Sequence, residues 1–452
     1  MLRAPTWLRL GVKVHRAEGF LMCSLFRKTG LKEPVFYWFA VPAQASGVMV
    51  PASRTVTEAE IASAAYAGGK MLDPTGRYYN IFMGCILGGA FGDAMGFPVE
   101  FMGLPEIVEH YGPHGMVTPE LGPNGKMVVS DDTQLMLFTL DGLITGMQRA
   151  RRRGTDARAE VYLDRAYLDW YATQNSRLYY PAPFTSIYSD SRLRAQRAPD
   201  RTCLAALTLQ FTNTANLRDT FDTRSRGTLT RPINDSKNCG AVMRSAPIGF
   251  MLNEFNYNLQ AESTAAVGAV GAAITHGNPM GWLPAALLSE IIHRMTYRKP
   301  ADPTLDRLMF NALYQVEREF PGVKEMPEFL ALMEKAIRQG MDRSIKPRDA
   351  LALLGKGTTG ESALAIAVYL SLRYQNDCYT AIHGAVNQNG ASDTIGMLTG
   401  NILGAWLGFE AISGQLDRIF GVDGFLERHL EMFDLMTDAV QRAWHTAILE
   451  SG

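Results

Sequence analysis

The chain has 452 residues, 47% hydrophobic and 20% charged, a composition that suits a globular protein with a substantial core. With 44 basic and 45 acidic residues its formal net charge is -1, which excludes the basic excess of a dedicated nucleic-acid binder. Five scattered cysteines (Cys23, Cys85, Cys203, Cys239 and Cys378) with no Cys-x-x-Cys pair exclude a disulfide framework or a cysteine zinc site, so a cytoplasmic location is expected.

Residues 1–76 read as an amino-terminal extension of mixed character. Met1 to Arg16 carries Arg3, Arg9, Lys13 and Arg16 without an acidic residue, and the apolar stretch Gly19 to Phe26 is cut off by Arg27 and Lys28. That stretch is marginal for a secretory signal and has no small-residue cleavage site close behind it, so a folded or partner-binding segment is expected. Met71 offers an alternative start.

The remainder, residues 77–452, reads as one all-α domain. Helical periodicity is expected over Ile81 to Met95, Thr133 to Ala150, Arg158 to Thr173, Ala261 to Ile274, Leu283 to Met295, Pro327 to Gln339, Ala363 to Tyr374 and Ile395 to Leu407. No run approaches the length of apolar residues needed to cross a bilayer, so no membrane partner is expected. Two of these helices carry glycine every fourth residue: Gly84, Gly88, Gly92 and Gly96, then Gly396, Gly400, Gly404 and Gly408. Each interior glycine costs a helix about 1 kcal/mol against alanine. The spacing therefore predicts faces where two backbones approach closely.

Two polar helix starts carry candidate chemistry. Ser130-Asp131-Asp132-Thr133 puts two carboxylates between two hydroxyls, hard oxygens of the kind magnesium takes. The plain alternative is a helix cap, but a cap needs one such side chain and here four stand in a row. Ser392-Asp393-Thr394 repeats the theme after the polar turn Asn387 to Gly390. A helix start repels a bare cation, so a metal there needs several carboxylates. If the two starts face each other they form an oxygen-lined cup.

Five motifs then come in a distinctive order: Gly84-x-x-x-Gly-x-x-x-Gly-Asp-x-x-Gly-x-Pro-x-Glu-Phe101, the Ser-Asp-Asp-Thr turn, Asn238-Cys-Gly-Ala-x-Met-Arg-x-Ala-Pro-Ile-Gly249, Thr275-His276 and Gly390-x-Ser-Asp-Thr-Ile-Gly396. In this order they resemble the ADP-ribosylglycohydrolase family from about Tyr78 to Ile412. The resemblance implies an orthogonal all-helical bundle around two Mg2+ ions. By position, Ser130, Asp131, Asp132, Asp393 and Thr394 would bind metal, and Glu100 and Asp132 would be the catalytic carboxylates. Asn238, Gly240 and Ala241 would hold the diphosphate, His276 would lie near ADP-ribose, and Gly357 would belong to the loop beneath the adenosine.

The chain departs from the family pattern at Ala391, where an aspartate is usual, and at Thr358, where tryptophan is frequent. Losing a carboxylate that bridges two ions removes a full negative charge from a cation site, which puts the second ion in question. The expected reaction is Mg2+-dependent hydrolysis of the N-glycosidic bond of an ADP-ribosylated protein side chain, arginine by likeness. The alternative is an immunity protein whose extension blocks the active site of a cognate ADP-ribosyltransferase toxin, with hydrolysis secondary or lost.

Overall fold

The computed structural model describes residues 10–17, 20–27, 35–42, 74–155, 158–175, 183–214, 226–251, 263–299 and 303–449. The basic residues Arg3 and Arg9 and the alternative start Met71 lie outside them. The chain divides into two compact units, residues 1–72 and 73–452.

The first unit contains an antiparallel meander of β1 (Leu10–Ala17), β2 (Phe20–Arg27) and β3 (Val35–Pro42), in that spatial order. Leu10 pairs with Arg27 and Ala17 with Phe20, leaving only Glu18-Gly19 to join the first two strands. A two-residue link ending in glycine is a common hairpin connection. Leu10, Val12 and Val14 alternate with Gly11, Lys13 and His15, the period of a strand with two unlike faces.

The second unit is helical among its described residues. Its helices begin with α1 (Pro74–Gly96), α2 (Leu104–Tyr111), α3 (Asp131–Arg153), α4 (Ala159–Gln174), α5 (Arg201–Thr214) and α6 (Ile248–Met251). They continue through α7 (Thr264–Ala273), α8 (Pro279–Thr296), α9 (Leu305–Glu319), α10 (Met326–Met341), α11 (Pro347–Ala352) and α12 (Gly360–Arg373). The last are α13 (Cys378–Val386), α14 (Ser392–Leu407), α15 (Phe409–Phe420), α16 (Phe425–His429) and α17 (Phe433–Trp444). All eight expected helices are present. The one expected over Ala261 to Ile274 runs from Thr264, and its first two residues fall outside the described set.

The centre of this unit is the antiparallel pair α1 and α14, its most extensive helix contact. Gly84 lies against the backbone of Gly404, Gly88 against Gly400 and Gly92 against Gly396. A Cβ at any of the six would overlap the partner's carbonyl group. Gly96 is pressed in the same way against Ser392 and Asp393. This close approach is why the four-residue glycine spacing occurs, and the packing it permits offsets the helix-propensity cost. Asn401 bridges the pair, its Nδ2 donating to the carbonyl of Cys85 at 2.8 Å.

Contrary to the expectation that no run approaches spanning length, the segment Gly76–Val99 is long and apolar enough by composition to cross a membrane, yet 89% of an apolar 18-residue window within it is buried. Its apolar surface is used by neighbouring helices. The glycine register also sets the site, because it lays the carboxyl end of α1 beside the amino end of α14.

Candidate functional site

Three segments far apart in sequence meet where α1 ends and α3 and α14 begin. At α3 the helix start is capped, as its sequence suggested, but by only part of the polar run. Ser130 is the N-cap, its Oγ accepting from the N–H of Asp132 at 3.1 Å. Asp93 reaches over from α1 and accepts from the N–H of Ser130 at 3.0 Å, from the N–H of Thr133 at 3.2 Å and from Thr133 Oγ1 at 2.5 Å. These two side chains take up the first N–H groups that a helix leaves unpaired. The carboxylates of Asp131 and Asp132 are thereby surplus to capping, although both are almost wholly buried.

At α14 the cap reading fails. The N-cap position is Ala391, which has no side-chain bond to give, so Ser392, Asp393 and Thr394 already sit inside the first turn. Asp393 Oδ1 accepts from the N–H of Thr394 at 2.8 Å. Thr394 Oγ1 donates to Asp132 Oδ2 at 2.8 Å, which joins the two helix starts directly. The two starts do form one oxygen-lined cup.

Glu100 follows the single turn Phe97–Val99 at the end of α1, and its Oε2 is buried without a hydrogen-bond partner. Burial, then the charges of Asp393, Asp93 and Asp200, push its carboxyl up to about 9. Burial and the neighbouring Asp93 raise Asp393 to about 7, and burial raises Asp93 itself to about 6. Asp131 and Asp132 are held well above the usual carboxylate range, chiefly by burial, then Asp131 by the charges of Asp200, Asp393 and Asp93 and Asp132 by those of Asp393, Asp131 and Asp93. Among the described residues, none of these groups forms an ion pair with lysine, arginine or histidine. Buried carboxylates without a counter-charge are costly. Hard divalent cations are the ligands whose charge and oxygen preference would relieve that cost.

The other predicted residues form the adjoining wall. Asn238 caps the turn Cys239–Ala241, its side chain accepting from the N–H of Gly240 at 2.7 Å. The motif is thus a tight turn in which the Gly240 N–H is satisfied by the Asn238 side chain. Asn238 also bridges to Thr359, and the N–H of Gly360 donates to the carbonyl of Lys237 at 2.9 Å. The loops around 240 and 357 are thus paired. Gly357 adopts φ +74°, where a side chain is strained, and a Cβ there would overlap the Ile395 side chain on α14. Ala241 is buried, and Cys239 Sγ lies 3.7 Å from Thr394 Oγ1, which connects this wall to the carboxylates.

His276 is fully buried behind this wall. Its Nδ1 lies 2.9 Å from Thr275 Oγ1, and Arg244 Nη2 donates to the same oxygen at 2.7 Å. The ring Nε2 has no partner, and burial pushes the imidazole down to about 4.

Sequence reasoning missed two carboxylates. Asp93 stands in the first motif without an expected role of its own. Asp200 lies outside every motif, in Arg197-Ala198-Pro199-Asp200. The carbonyl of Arg197 accepts from the N–H of Asp131 at 3.0 Å, and the N–H of Asp200 donates to Asp131 Oδ2 at 3.0 Å. Between them Ala198 takes φ +53°, unusual for a residue with a Cβ. No sequence pattern announces that conformation.

Comparison with known proteins agrees with this architecture. The family model described as ADP-ribosylglycohydrolase matches residues 74–443. A solved structure described as an ADP-ribosylglycohydrolase-related protein complex superposes with a TM-score of 0.51 at 19% identity, covering 82% of this chain and all of the other, a likeness of fold. No curated protein matches the chain significantly. The family match spans most of the chain and includes every residue of the site just described, and the chain belongs to the ADP-ribosylglycohydrolase family, whose members are glycohydrolases of a metal-dependent type.

Proposed function

We propose that the chain hydrolyses the N-glycosidic bond between ADP-ribose and a protein side chain, arginine in the first instance, with Mg2+ as cofactor. The observation that carries this reading is the convergence of Glu100, Asp131, Asp132 and Asp393 with no paired cation among the described residues. Ser130, Asp131, Asp132, Asp393 and Thr394 would hold the ions, and all five offer the oxygen donors that Mg2+ prefers. Bound Mg2+ would supply Lewis-acid polarisation, a fixed position for ribose hydroxyls and a lowered pKa for water.

The chain's own residues then divide the remaining work. Asp132 Oδ2 is occupied by Thr394 Oγ1, whereas Glu100 Oε2 is unpartnered, so Glu100 is the better placed to take a proton from the attacking water once bound cations favour its ionised form over the protonated form of the metal-free cluster. Water adds to the anomeric carbon, the carbon–nitrogen bond breaks with oxocarbenium character, and the guanidine leaves with a proton. The paired loops around Asn238, Gly240 and Gly357 close the wall against which the ADP moiety would lie, with His276 behind it.

A direct test incubates the purified chain with an ADP-ribosylarginine protein, with and without Mg2+, beside the Asp131→Ala, Asp132→Ala double variant. Mg2+-dependent release of ADP-ribose by the wild type alone supports the reading. No release from a folded, Mg2+-supplemented wild type sinks it for arginine and moves attention to a serine-linked substrate.

A second reading rests on the separateness of residues 1–72, a compact unit with its own sheet. In that reading the extension is a binding module that occludes a cognate ADP-ribosyltransferase toxin. Deleting it would abolish toxin binding while hydrolysis persists; a deletion that leaves toxin binding unchanged rules the reading out.

A further inference from the structure

The far end of the α1–α14 pair carries two arginines that no carboxylate balances. Arg77 stands in the opening turns of α1, Arg298 follows α8, and Trp406 lies in the last turn of α14. We propose that Arg77 and Arg298 form a binding site for a phosphate dianion, remote from the carboxylate cluster. The rise of sixteen residues from Arg77 to Asp93 puts about 24 Å of helix between the two places.

Each guanidinium is held by one nitrogen. Arg298 Nη2 donates to the carbonyl of Trp406 at 2.6 Å, and its Cζ lies 4.3 Å from the centre of the Trp406 ring. The stacking fixes the guanidinium plane and covers one face, which leaves the edge for hydrogen bonds. Arg77 Nη2 in turn donates to the carbonyl of Arg298 at 2.5 Å, which draws the two residues together. Among the described residues neither arginine forms an ion pair. Burial, then the charge of Arg77, lowers Arg298 to about 10.

A plainer account makes both arginines ties between helix ends. Arg298 closes the carboxyl end of α14, where a cation suits the helix dipole. That account employs Nη2 of each residue and stops there. Arg298 Nη1 is buried with no hydrogen-bond partner among the described residues, a costly state for a charged donor. Two like charges also remain side by side, and α1 has no acidic residue in its first turn to balance them. A tetrahedral dianion answers these points together. Its charge matches the pair, its oxygens accept from a planar fork, and a helix start favours it. A single carboxylate would match only one of the two charges. Both arginines are half-buried, so the pair borders solvent, and a small turn of the Arg298 guanidinium presents Nη1 to an anion arriving there. Bound phosphate would tie α1, α8 and α14 together beyond the Gly84–Gly404 contact.

The test is calorimetric titration of the full, metal-free chain with inorganic phosphate, chloride holding the ionic strength constant. Without metal the carboxylate cluster repels anions and stays silent. The expected result is one phosphate per chain and a higher melting temperature with phosphate present. Arg298→Lys keeps the charge but loses the fork, and Arg77→Gln removes the second charge. Each should weaken phosphate at least about tenfold, the scale of one charge-assisted hydrogen bond. Arg348→Gln, an exposed arginine elsewhere, controls for net charge and should leave the affinity as it was. Because Arg298 also closes α14, Arg77→Gln decides the matter where Arg298→Lys fails to fold. No binding by the wild type would overturn the proposal. So would an affinity that Arg348→Gln lowers equally, or that either site substitution leaves unmoved in a folded protein. Glycerol phosphate separates the sources: binding at the same arginines supports a phosphate monoester, and binding of inorganic phosphate alone supports the free ion.

Discussion

The starts of α3 and α14 look alike in sequence, a hydroxyl and a carboxylate before a long apolar helix, but the fold uses them differently. At α3, Ser130 and the imported Asp93 satisfy the helix end, and Asp131 and Asp132 face inward as spare charge. At α14 no side chain caps the helix, and Asp393 and Thr394 lie within its first turn. One start therefore brings its own scaffold, and the other depends on being pressed against α1. The difference teaches that capping and ligand provision are separable: residues that resemble caps are free for chemistry only where another group has done the capping.

Removing the spare charge breaks this comparison most severely. Asp131→Ala with Asp132→Ala should lower turnover at least about a thousandfold, the scale of losing a main transition-state stabiliser, while melting holds or rises because neither carboxylate caps the helix. A coordinated collapse of melting and activity would show that Asp131 and Asp132 are structural after all. Next comes the contact on which α14 depends. Gly400→Leu places a side chain where the Gly88 carbonyl stands, and should cost about 3 kcal/mol or more by denaturant unfolding.

A third prediction uses the raised carboxyls. Groups whose folded pKa lies above the unfolded value favour the fold while protonated, and that contribution is lost as pH rises through the folded value. With Asp93 near 6, Asp393 near 7 and Glu100 near 9, the melting temperature of metal-free protein should fall from about pH 4 toward pH 9. Saturating Mg2+ should flatten the decline, since ions favour the charged form. A metal-free profile that rises over this range contradicts the cluster's electrostatics. The smallest effect belongs to Ala198→Gly, which relieves a left-handed alanine at some cost in unfolded-state entropy. A gain of about 0.5 kcal/mol in stability is expected, with activity retained.

Much of this was legible in the sequence because its signals are local or periodic. Apolar spacing located eight helices, and glycine every fourth residue foretold a close helix pair without naming its partners in register. The Ser130 to Thr133 and Ser392 to Thr394 runs announced surplus oxygens at two helix starts. The strands of the extension were less legible because each is only eight residues long and the alternation in Leu10 to Ala17 is interrupted by charged residues and glycine.

What the sequence determined by itself is the set of elements and which of them carry oxygen ligands, since propensity, periodicity and capping act over a few residues. Only the tertiary structure decided which carboxylates share a site. Asp93 joins α3 because the Gly84 to Gly96 face locks against Gly404 to Gly396, and Asp200 joins Asp131 because a strained turn at Ala198 folds it back. Those contacts join residues that lie tens to hundreds of positions apart, and electrostatic coupling depends on distance in space. No local pattern records that distance.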